Sequence, residues 1–80
     1  MLAVQCRMAR AAVGWGVREL AKAAGVSVDT VSRLEKGESL LPRTVEVIQR
    51  ALETAGVEFI AENGGGAGVR LRKRGAEAPL

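Results

Sequence analysis

Apolar residues recur between Leu2 and Ala55 at intervals of three and four, and a glycine interrupts the pattern every few turns. Leu2, Ala3, Cys6, Ala9 and Val13 form the first stripe, ended by Gly14, and Val17, Leu20, Ala21 and Ala24 form the second, ended by Gly25. Val31 and Leu34 define a third before Gly37, and Val45, Ile48, Ala51, Leu52 and Ala55 a fourth before Gly56. The pattern predicts four short helices. Past Gly56 the period changes: residues 57–61 and 69–72 are rich in β-formers and alternate in character, with a glycine-rich stretch over 62–68. The expected fold is therefore mainly α, four helices followed by a C-terminal β-hairpin.

Capping chemistry sharpens the two central helices. Gly16 stands at an N-cap, Glu19 three residues on supplies the acidic half of a capping box, and Trp15 and Leu20 occupy the positions of a hydrophobic staple. This predicts a helix over about residues 17–24. After Gly25 only Val26 precedes Ser27, a good N-cap, and Val26 and Val31 make a second staple. The next helix is expected over about 28–36. So short a connection forces the two helices to cross steeply, which leaves Val28, Asp29, Ser32, Arg33 and Lys36 facing outward. Pro42 either begins the fourth helix or precedes Thr44 as its cap.

The order R-E-L-A-x-x-A-G-V-S-x-x-T-V-S-R-L-E-K-G resembles the helix-turn-helix of the Cro/C1 (XRE-type) family of DNA-binding regulators, over roughly residues 5–56. The segments Gln5-Cys6-Arg7 and Val57-Glu58-Phe59-Ile60, with the glycine run and Val69-Arg70-Leu71-Arg72, are similar to very small proteobacterial members of that family. The resemblance implies a lambda-repressor-like helical domain over 1–56. A hairpin over 57–72 then packs or dimerises, and a disordered basic tail covers 73–80.

A helix in a major groove reads base edges with the outward side chains of its first turns, while neighbouring groups hold phosphates. Val28, Asp29, Ser32 and Arg33 are the base-readout candidates. Arg33 is the strongest, because a guanidinium can bond both major-groove acceptors of guanine; its bland alternative is solvation or pairing with Asp29 one turn earlier. Asp29 can accept from a cytosine amino group or simply oppose the helix dipole, and Val28 can touch a thymine methyl or edge the core. Phosphate contacts are expected from Arg18, Lys36 and Arg43, from the backbone amide of Val17 at a helix start, and from Ser27 and Thr30, which otherwise cap. The family commonly carries an amide side chain where this chain has Val17, and a hydroxyl cap where it has Gly16. Arg10 and Glu35 fall where the family often has a buried ion pair; the alternative is two unrelated surface charges.

Composition narrows the field. Eighty residues allow one modest core, and the apolar 48% is largely Ala and Val, with one Phe, one Trp and no Tyr. Residues 1–62 hold eight basic and eight acidic side chains, so the net +3 comes entirely from residues 63–80. A basic DNA-facing surface must arise by sorting charges onto faces. Cys6 is the single cysteine and there is no histidine, so neither a disulfide, a metal site nor a cofactor is expected. No nucleophile has an evident base, and the glycines at 64–66 lie in a hairpin loop, unlike a phosphate-binding turn between strand and helix. An enzyme is not expected. With no apolar run of membrane length and no signal-peptide layout, a cytoplasmic protein is expected, and the outward Arg33 with the family resemblance implies a homodimeric regulator that binds double-stranded DNA. The competing expectation is an antitoxin or adaptor with a protein partner.

Overall fold

The computed structural model describes residues 1–72, and the tail expected over 73–80 lies outside the described residues. The chain forms α1 (Ala3–Val13), α2 (Val17–Ala24), α3 (Val28–Glu35), α4 (Pro42–Thr54), β1 (Val57–Ile60) and β2 (Gly68–Leu71). This is the mainly helical architecture with a terminal hairpin that the hydrophobic pattern predicts. Of the two starts expected for the fourth helix the structure takes the first, while the end of α3 and the strand bounds differ from expectation. Pro42 is the first residue of α4, with Leu41 at the N-cap and no side-chain cap, and the Thr44 amide already donates to Leu41 at 2.9 Å. Proline suits that position because its missing N–H would have had no partner there. Helix α3 ends at Glu35, one residue earlier than expected, β1 is one residue shorter than its β-rich segment, and β2 has the expected length but lies one residue earlier.

One hydrogen-bond pattern stops the first three helices. At the end of α2 the Gly25 amide donates to Lys22 (3.3 Å) and the Val26 amide to Ala21 (3.0 Å), with Gly25 at φ 72°. These paired bonds close a Schellman motif, which needs a left-handed residue that glycine supplies without strain. The same two bonds recur at Gly14–Trp15 and at Gly37–Glu38. Each motif brings the residue after the glycine against the one five positions before it. The three pairs are Arg10 with Trp15, Ala21 with Val26, and Arg33 with Glu38.

The core gathers Cys6 and Ala9 from α1, Leu20 and Ala21 from α2, Val31 and Leu34 from α3, Ile48 and Leu52 from α4, and Val57 from β1. Alanines at two of these positions let short helices approach closely, while fully buried Leu20, Ile48 and Leu52 each contribute roughly 1.5–3 kcal/mol. Both staples close on this core: Trp15 and Val26 pack against it beside Leu20 and Val31.

The strands pair antiparallel, Val57 with Leu71, Glu58 with Arg70, Phe59 with Val69 and Ile60 with Gly68. Val57, Phe59 and Val69 pack inward, and on the opposite face Arg70 Nε meets Glu58 Oε1 at 2.8 Å. An isolated two-stranded hairpin is marginal in water, and here α1 secures it. Gln5, buried in α1, donates from Nε2 to the carbonyls of Ile60 (3.1 Å) and Gly68 (3.0 Å), the last paired rung before the loop. Its Oε1 accepts from the Leu2 amide at 2.8 Å, so the buried amide has no idle polar atom.

Candidate nucleic-acid interface

The turn between α2 and α3 is set by groups within a few residues of it. The Gly16 amide is capped by Glu19 Oε1 at 2.8 Å; glycine has no side chain to return the bond, so only half a capping box exists. Across the turn, Ser27 Oγ accepts from the Thr30 amide at 3.0 Å and shares a 2.8 Å hydrogen bond with Thr30 Oγ1. Those two hydroxyls therefore engage each other at the start of α3. With Val31 and Leu34 fixed in the core, the opposite side of α3 must face solvent.

That outer side carries the readout candidates. Val28, Asp29 and Arg33 are exposed and Ser32 is half-buried. Arg33 and Thr30 share a shallow groove with Leu41, Pro42 and Thr44 at the start of α4. The Arg33 guanidinium is bonded to Glu38, Nε to Oε1 at 2.9 Å, with 46% and 49% of the two side chains exposed. Glu38, rather than Asp29, thus takes the guanidinium, and this bond holds the Arg33 pKa above its ordinary value. The sequence reading missed Glu38. A signal was present, because Gly37 as a helix stop places residue 38 beside residue 33.

Of the phosphate candidates, Arg18, Lys36 and Arg43 are exposed and have no ion-pair partner among the described residues. They lie at the second residue of α2, the C-cap of α3 and the second residue of α4. Val17 packs its side chain against the core, which leaves its backbone amide, one of the unpaired donors of a helix start, as its polar group there. The arginines in and just after β2 are engaged: Arg70 with Glu58, and Arg72 through Nη2 with the Glu53 carbonyl.

The inner side of α3 carries a different cluster. Arg10 grips Glu35 with two bonds, Nε–Oε2 at 2.6 Å and Nη2–Oε1 at 2.9 Å, and sends Nη1 to the Trp15 carbonyl at 3.1 Å. The Cys6 thiol donates to Glu35 Oε2 at 3.3 Å, and Arg7 Nη1 donates to the Glu35 carbonyl. Only 20% of the Arg10 side chain and 9% of Glu35 is exposed. Burial pushes the Glu35 carboxyl up, but the bonds from Arg10 and Cys6 and the charges of Arg10 and Arg7 outweigh it, so its pKa is lowered. The neighbouring thiol moves the other way. Burial, then the bond to Glu35 and its negative charge, raise Cys6 to about 12, so it stays protonated as a donor. This cluster ties α1 to the end of α3 and fixes how the outer face is presented.

Among the described residues there is no group of three or more His, Cys, Asp or Glu side chains able to hold a metal ion, and no helix long and apolar enough to cross a membrane. No curated protein matches the chain. The two helices joined by the Gly25 turn, with a core-anchored inner side and a polar outer side on α3, agree with the outcome of comparison by family: residues 2–59 match the helix-turn-helix domain, and the chain belongs to that DNA-binding family.

Proposed function

We propose that the chain is a sequence-specific, double-stranded-DNA-binding transcriptional regulator of Cro/C1 type that lays α3 in the major groove. The observation that carries this reading is the outer side of α3, where Val28, Asp29 and Arg33 are exposed beside a half-buried Ser32, on a helix anchored by Val31, Leu34 and Glu35. Arg33 reads a base, Arg18, Lys36, Arg43 and the Val17 amide hold phosphates, and Ser27 and Thr30 shape the helix start. The protein acts as a homodimer on half-sites about one helical turn apart, with the hairpin as the dimerising element. Exposed Leu71 on β2 supports that role for the hairpin. Selection from random duplex DNA at physiological salt tests the proposal: a recovered motif whose half-sites repeat at about 10 base pairs is expected. A pool that remains random after selection would refute it.

A second reading, an antitoxin or adaptor, is favoured by one observation. Trp15, Ala24, Val47 and Ala51 line an open, mainly apolar groove between α2 and α4, away from α3. Recovery of a stoichiometric protein partner whose binding survives Arg33→Ala would favour this reading over the first.

A further inference from the structure

The Arg33–Glu38 pair rests on more than proximity. Glu38 is the residue after the Gly37 stop, and its amide donates to the Arg33 carbonyl at 3.1 Å. Its backbone is therefore pinned to the very residue whose side chain it contacts. In the equivalent place after α2 the paired side chains are apolar, Ala21 and Val26, and serve packing. At the end of α3 they are charged and lie on the outer side. The contact also uses a particular edge of the guanidinium: Glu38 accepts from Nε, and neither Nη group is engaged by it. An arginine held at Nε keeps the two Nη groups as a fork of donors directed away from its own stem.

We propose that Glu38 is a specificity-determining positioning residue: by holding Arg33 at Nε it presents the Nη1/Nη2 end to the O6 and N7 acceptors of a guanine, and its negative charge suppresses capture of Arg33 by the phosphate backbone. The inference rests on the reading of α3 as the recognition helix. Its logic is a difference between two affinities. A free Arg33 takes any phosphate it reaches, which raises affinity for all sequences alike; a held Arg33 gains only where a guanine completes the fork. Glu38 thus costs general affinity and adds discrimination, without itself touching DNA.

The experiment compares wild type with E38Q, E38A and R33A on three duplexes. One is the sequence wild type selects from a random pool, the second is that sequence with the Arg33-dependent guanine replaced by adenine, and the third is an unselected duplex of equal length. Because Glu38 is exposed, the variants fold, and unchanged urea midpoints verify this. With E38A the preference for guanine over adenine falls by about tenfold, the order of one bidentate contact, while affinity for unselected DNA rises; E38Q, whose amide oxygen still accepts from Nε, shows the rise but loses less of the preference. The slope of log Kd against log salt steepens by about one, as a freed arginine reaches a phosphate. R33A abolishes the guanine preference and makes it insensitive to residue 38. If E38A keeps the wild-type guanine preference, or if no guanine depends on Arg33, the positioning role is overturned while the regulator reading stands. Failure of wild type to select any sequence overturns both.

Discussion

Helix α3 carries two arginine–glutamate contacts, one on each side, and they differ in almost every physical respect. Inside, Glu35 is shielded and gripped by both arms of Arg10, with Cys6 and Arg7 completing its shell. Outside, Arg33 and Glu38 share one bond and are about half exposed. A shielded carboxylate cannot be abandoned by its partner without stranding a charge in low dielectric, whereas an exposed pair separates into water at little cost. The inner pair therefore belongs to the architecture, whereas the outer pair orients a surface side chain and bears little on stability. The same chemistry supplies a structural joint on one side and a surface orienting contact on the other, and solvent access decides which.

The largest expected effect breaks the inner pair. Glu35→Ala should destabilise the fold by roughly 3 kcal/mol, because it leaves Arg10 largely buried with two of its three hydrogen bonds lost. Urea denaturation measures this, and a loss no larger than that of a surface pair would erase the contrast between the two sides. On the outer side, Arg33→Ala should leave the urea midpoint unchanged and weaken binding to a selected operator by about ten- to a hundredfold. Fluorescence anisotropy with labelled duplex reads that number directly.

A third prediction uses pH to separate charge from packing in the joint. Glu35 has a folded pKa below its ordinary 4.5, so its contribution is fully present above about pH 4.5 and is lost as pH falls through the folded value. Arg10→Gln removes the main groups that lower it and leaves burial, which raises it. The stability gap between wild type and Arg10→Gln should therefore be constant at neutral pH and close as the solution is acidified. A gap that persists to pH 2 would mean that Arg10 acts through packing alone. The smallest effect concerns the opposite end of the reading head. Val17→Gln supplies the amide side chain that this chain lacks at the start of α2, and one added hydrogen bond to phosphate should tighten DNA binding by about two- to tenfold with no change in salt slope.

How much of this was legible in the sequence depends on the range of the interactions. The helix stops at Gly14, Gly25 and Gly37, the Ser27 cap and both staples involve residues no more than five or six apart, and the sequence states them plainly. The choice between Pro42 and Thr44 stayed open because both are good residues for a helix start, and only the Thr44 amide bond to Leu41 distinguishes them. Residues that act at long range were opaque. Nothing near Gln5 indicates that its amide serves two carbonyls more than fifty positions later, and a lone cysteine gives no sign of donating to a carboxylate on another helix. Glu38 lies between these cases: its neighbour follows from a local rule, but the rule normally describes apolar pairs, so the charged version escaped notice.

The amide of Gln5 also has a consequence for the order of events as the chain is made. Its Nε2 exchanges water for protein carbonyls only once Ile60 and Gly68 are available, and Gly68 is 63 residues downstream. At ribosomal rates of about 5–20 residues per second, α1 emerges several seconds before the strands that complete its inner face. During that interval the helices must be held by their mutual contacts alone. Arrival of the hairpin then completes the inner face of α1 and gives the buried amide its protein partners.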